Sequence, residues 1–177
     1  NEELYVAQKF ARTAMGTHSV NIASNDRPGV MEGLGDILGY YAGTMSLDDL
    51  RGASVVLAVN ANITEEQNVA AVAIKQAVRA GTQKLVVIDH REVELTRYAS
   101  LWLRPYPGTD AALLGGLLRA VIDSGLADDA FLAERADNIE ALTVSLEPFT
   151  PEAVAETTGV TVEQIERAAY QLATGGP

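Results

Sequence analysis

Six polar residues could meet a ligand: Asn60, Asn62 and Thr64 after the apolar run ASVVLAV, Asp89 and Arg91 after KLVVI, and Asp110 after the proline-rich turn PYPGT. Asn60, Asn62 and Thr64 can offer side-chain and backbone donors to a phosphate; as residues of a polar turn they need no ligand. Asp89, the acid that ends its run, suits a nucleotide ribose or base, or else caps the helix that follows. Asp110 at a helix start stabilises the dipole, or presents a carboxylate to an amine-bearing ring edge. The stretch VNANITEEQN has no glycine, which argues against an ordinary NAD site. Neither His18 nor His90 lies at metal spacing from a second obvious ligand, so no metal ligand is assigned. Zero cysteines removes zinc-thiolate, iron–sulfur and thiol chemistry within this chain.

The elements that must position these residues are two strand–turn–helix units within Ala53–Leu95. Short apolar runs alternating with amphipathic helices predict an α/β fold: a three-layer parallel sheet with helices on both faces. In such sheets ligands bind beyond the carboxyl ends of the strands, so Asn60–Asn68 and Asp89–Arg91 are the places to look for function. A helix over Gln67–Ala80, helical turns over Val93–Ala99 and a third short strand, Leu101–Leu103, follow. Thr109 is the expected N-cap of Ala111–Ser124, the most apolar helix, whose Gly115–Gly116 pair predicts close packing against a neighbour. Ahead of the first strand come a helix over Glu2–Met15, a polar loop over Thr17–Pro28, a short helix over Val30–Leu38 and a capping-box turn at Ser46–Arg51. From Ala127 onward ten acids face two arginines, Arg135 and Arg167, in a small helical tail with Thr150 and Thr161 as caps. Residues 1–126 thus read as the α/β domain and 127–177 as its helical extension.

At 177 residues the chain can bury a sizeable core, and 47% hydrophobic with 21% charged residues is ordinary for a globular protein. A net charge of −11 argues against a nucleic-acid binder. No apolar run approaches the roughly 20 residues of a membrane span, and the expected location is the cytoplasm. The start at Asn1 and the stop at GGP read as those of a segment cut from a longer chain.

Five stretches in order, NEELYVAQKFAR, SLDDLRGASVVLAVNANITEEQNVAAVAIKQAVRAG, KLVVIDHREVEL, LWLRPYPGTDAALLGGLL and TPEAVAETTGV, resemble molybdopterin oxidoreductases. The resemblance is closest to formate dehydrogenase catalytic subunits, with the large iron–sulfur subunit of NADH–quinone oxidoreductase near. It implies a Rossmann-like domain that binds one end of molybdopterin guanine dinucleotide, with molybdenum or tungsten in the parent enzyme. It implies that Asn60, Asn62 and Thr64 lie near the phosphates, that Asp89 and Arg91 meet ribose or base, and that Asp110 binds the guanine amino edge. A carboxylate suits that edge because it accepts from two adjacent N–H groups. Implied partners are the pterin cofactor and iron–sulfur or NADH-linked electron-transfer subunits.

The departures matter as much. Where formate dehydrogenases carry a metal-ligating cysteine or selenocysteine and then histidine, this chain aligns Asn25 and Asp26. Asparagine is a poor ligand for such a metal; Ser24 or Asp26 could substitute in a shifted register. The family's proline after Asp89 is replaced by His90, and its arginine before PGTD by Tyr106. The expected role is a cofactor-binding fragment, not catalytic alone; the alternative is a scaffold or electron-transfer domain that lost the metal.

Overall fold

The computed structural model describes residues 2–20 and 28–175, in two compact units covering 1–44 and 45–177. Ser24, Asn25 and Asp26 lie outside the described residues. The first unit holds helices α1 (Glu2–Thr13) and α2 (Pro28–Leu38). In α1 no residue is buried.

In the second unit, α3 (Leu47–Gly52) opens on the capping box that its sequence predicts. The Ser46 hydroxyl accepts from Asp49 N–H, while the Asp49 carboxylate accepts from Ser46 N–H. Three parallel strands follow, β1 (Val55–Val59), β2 (Lys84–Ile88) and β3 (Leu101–Leu103), in spatial order β1-β2-β3. Val59 pairs with Ile88, and Ile88 with Leu103, so the three strands end level with one another.

β2 is central, and its alternating side chains build two cores. Leu85 and Val87 pack with Leu50 of α3, Ile74 of α5 (Asn68–Arg79), Val93 and Leu95. Val86 and Ile88 pack on the opposite face with Leu113, Leu117 and Ala120 of α6 (Asp110–Asp123). The same core takes Val154 of α9 (Pro151–Thr158) and Ile165, Ala168 and Ala169 of α10 (Val162–Thr174). Helices therefore cover both faces of a parallel sheet, the predicted three layers. α7 (Asp129–Arg135) and α8 (Ile139–Ser145) connect α6 to α9.

The glycine pair in α6 does what its position predicts. A Cβ on Gly116 would come within 2.8 Å of the Val154 side chain, and one on Gly115 within 3.0 Å of the Phe149 ring. Helix propensity is given up so that α6 can approach α9 and the residue ahead of it closely.

Candidate functional site at the carboxyl ends of the strands

Asn60 turns the chain out of β1 with φ +46°, a left-handed conformation that asparagine tolerates better than a branched residue. Its N–H still donates to Ile88 O at 2.8 Å, so the turn begins in register with β2. The polar stretch beyond it is not turn throughout. Ile63–Glu66 forms one helical turn, α4, in which Asn62 O accepts from the N–H groups of Glu65 and Glu66 at 3.0 and 2.9 Å. Ile63 packs against the α5-side core, and that burial favours helix over open turn. Asn60 Oδ1 and Thr64 Oγ1 are buried without a hydrogen-bond partner.

At the end of β2 the Asp89 side chain is fully buried. Its Oδ1 accepts from Arg91 N–H at 2.8 Å and Arg91 Nε at 3.2 Å, and its Oδ2 accepts from Arg91 Nη2 at 3.4 Å. The Arg91 side chain remains 54% exposed. Its guanidinium is held above its ordinary pKa, first by the hydrogen bond and charge of Asp89, with smaller contributions from Glu66 and Glu65. α4 and the loop after β2 are thereby electrostatically coupled. His90 Nδ1 lies 3.7 Å from Asp89 Oδ1.

Two further residues act on this loop from β3. Trp102 Nε1 donates to Asp89 O at 2.9 Å, and Arg104 Nε donates to His90 O at 3.1 Å. The Arg104 guanidinium lies 5.5 Å from the centroid of the Trp102 ring, a cation–π stack. Arg104 is not among the six residues that the sequence singles out. Arg104 is the first residue after β3, so the rule that strand ends carry function would have found it.

Beyond β3, Tyr106–Thr109 is closed by Thr109 N–H donating to Tyr106 O at 3.1 Å, with Pro107 second and Gly108 third at φ +85°. That is type II turn chemistry. Thr109 takes the predicted N-cap position, yet its hydroxyl donates to Tyr106 O and makes no cap bond. Asp110 opens α6, half-buried, and its carboxylate makes no hydrogen bond or ion pair among the described residues.

The helix caps fall into a pattern. α3, α7, α9 and α10 are capped by the side chains of Ser46, Asp128, Thr150 and Thr161. α5 behind Gln67 and α6 behind Thr109, the two long helices that start at the carboxyl edge of the sheet, have no side-chain cap. Among the described residues α4, behind Asn62, and α8, behind Asn138, also lack a side-chain cap. Free N–H groups at a long helix start favour an anion. Asn60, Asn62, Thr64, Asp89 and Arg91 are gathered by adjacent strand ends. Asp110 shares that edge seven residues beyond β3, without direct contact to the other five among the described residues. A cavity of about 550 Å³ lies elsewhere, at the amino end of β1, lined by Asp48, Asp49, Gly52–Val55, Leu172 and Gly175.

The family model described as "Molybdopterin oxidoreductase" matches residues 1–174. The chain belongs to that family. It is 34% identical over 170 residues to the F420-dependent formate dehydrogenase 1 subunit alpha of Methanococcus maripaludis, covering 96% of this chain and 25% of that protein. It is 33% identical over 173 residues to "Probable oxidoreductase YjgC" of Bacillus subtilis, covering 97% of this chain and 18% of that one. Among solved structures, acetylene hydratase from Pelobacter acetylenicus matches with a TM-score of 0.67 at 29% identity, over 72% of this chain and 18% of its own. The chain is thus a formate dehydrogenase-like molybdopterin oxidoreductase domain spanning a quarter or less of these relatives.

Membership implies a molybdopterin cofactor with molybdenum or tungsten. The strand ends suit a polar group that both donates and accepts hydrogen bonds. Thr64 Oγ1 is an unused donor, Asn60 Oδ1 an unused acceptor, Asp110 a carboxylate without a protein partner, and α6 an uncapped helix start. Among the described residues no three His, Cys, Asp or Glu side chains cluster as metal ligands, and no helix is long and apolar enough to cross a membrane.

Proposed function

We propose that this chain binds the guanine dinucleotide end of molybdopterin guanine dinucleotide within a longer formate dehydrogenase-like oxidoreductase. The observation that carries the reading is the orphaned Thr64 hydroxyl, a donor for a phosphate oxygen, on the sheet edge that also holds the uncapped start of α6. A buried polar atom without a partner costs about 1–3 kcal/mol, so a ligand that supplies the partner is favoured there. Asn60, Asn62 and Thr64 would face the phosphates, Arg91 the ribose or base, and Asp110 the two-donor edge of guanine. Asp89 already spends its carboxylate on Arg91, so its part is to hold that guanidinium in place. When bound, the metal–pterin group supplies the redox chemistry, and this chain binds and orients its nucleotide end. The parent would pass electrons to iron–sulfur or NADH-linked subunits, and the 177-residue chain alone would not turn over substrate.

Calorimetry with GDP tests the reading. Weak binding by the wild-type chain that falls at least about tenfold in Asp110→Ala is expected, since hydrogen bonds to a charged group are worth about 1.5–3 kcal/mol. Equal heats for the two chains, or none for wild type at millimolar GDP, would overturn it.

A further inference from the structure

We infer that Arg104 is a phosphate-binding residue of this edge. The inference rests on the nucleotide reading above and adds a contact that the six predicted residues do not include.

The first ground is charge. Glu65, Glu66 and Asp89 act on Arg91, so three carboxylates draw on one guanidinium. That guanidinium is engaged by Asp89 through both Nε and Nη2. On a chain of net charge −11, an anion approaching this edge meets repulsion unless another cation faces it.

Arg104 fits that need by geometry. It is exposed, and it follows β3 directly on the same edge as Asn60 and Asp89. The Trp102 ring supports its guanidinium plane, and His90 O fixes its Nε. Both Nη groups are without a protein partner among the described residues. Trp102 is itself tied to Asp89 O, so the stack stands on the loop that carries Arg91. A planar guanidinium fixed at Nε with both Nη groups open is pre-organised for two parallel bonds to phosphate oxygens.

The test is titration calorimetry of the 177-residue chain, wild type and Arg104→Gln, with GDP, ADP, guanosine and inorganic pyrophosphate at two salt concentrations. Circular dichroism melts confirm that the exposed substitution leaves the fold intact. Arg104→Gln is expected to weaken GDP and pyrophosphate at least about tenfold, and to leave guanosine unchanged. It should also lower the salt dependence of GDP binding, since one ion pair subject to screening is removed. Arg104→Lys should recover part of the loss, keeping charge without the planar fork. Equal losses for GDP and guanosine would overturn the inference by showing that Arg104 only shapes the loop. No loss for GDP, or no phosphate binding by wild type at millimolar ligand, would overturn it too. Arg104-dependent binding of pyrophosphate, with ADP equal to GDP and no effect of Asp110→Ala, would sustain the phosphate site and defeat the guanine reading. The converse, Asp110-dependent GDP binding indifferent to Arg104, would sustain that reading and defeat this one.

Discussion

Arg91→Ala removes a side chain that is more than half exposed, and it is expected to destabilise the fold well beyond an ordinary surface change. The reason lies in its partner: the Asp89 carboxylate is wholly buried, and the guanidinium supplies two of its three hydrogen bonds. Removing one member of a buried pair costs about 3–5 kcal/mol, because the other charge stays behind unpaired. The guanidinium is 54% exposed, and solvent screening brings the expected cost to about 2 kcal/mol. Asp89→Asn removes the buried charge while its amide oxygen can still accept from Arg91 N–H. In that background Arg91→Ala should cost no more than about 0.5 kcal/mol, as at ordinary surface sites. The double-mutant cycle should therefore show a coupling of about 1.5 kcal/mol. Urea denaturation followed by the fluorescence of Trp102, the single tryptophan, reads this directly, since its indole is bonded to Asp89 O. With a slope of about 1–3 kcal/mol per molar urea, the midpoint should fall by about 1 M for Arg91→Ala. Equal shifts in the two backgrounds, or a single mutant within about 0.5 kcal/mol of wild type, would refute the reasoning.

Gly116→Ala should destabilise by about 1–3 kcal/mol despite alanine's better helix propensity, because its Cβ would press on Val154 at 2.8 Å; Val154→Ala should relieve that strain, measured as a smaller loss in the double mutant. The Asp49 carboxyl is held below its ordinary value by hydrogen bonds from the Ser46 hydroxyl and Ser46 N–H. A depressed carboxyl contributes stability above its ordinary pKa and loses it as pH falls through the depressed value. Exchange protection of the first α3 amides should therefore fall on acidification below about pH 4 in wild type and become pH-independent in Asp49→Asn; an unchanged pH profile in that variant would refute the assignment.

What was legible in the sequence was local or periodic. The alternation of Leu85, Val86, Val87 and Ile88 fixed a strand buried on both faces, and Gly115–Gly116 announced a close helix neighbour. Ser46, Thr150 and Thr161 marked helix starts because a cap bond spans only three residues. The polar composition of Asn60–Asn68 concealed α4, since the burial of Ile63 against a distant core decided its conformation. The bonds from Trp102 to Asp89 O and from Arg104 to His90 O were equally hidden. They span 13 and 14 residues and exist only because β3 pairs in parallel with β2 in one register. The closure of Asp89 on Arg91 has the same character: two residues of spacing allow it, and burial beneath the loop enforces it.

The central claim is that the carboxyl edge of this sheet receives the nucleotide end of the cofactor. Amide chemical-shift mapping of the isotope-labelled chain during a GDP titration tests it most directly. Saturable shifts are expected at Asn60–Thr64, Asp89–Arg91 and Gly108–Ala112. Shifts gathered instead at the Asp48–Val55 cavity, or none at millimolar GDP, would contradict it.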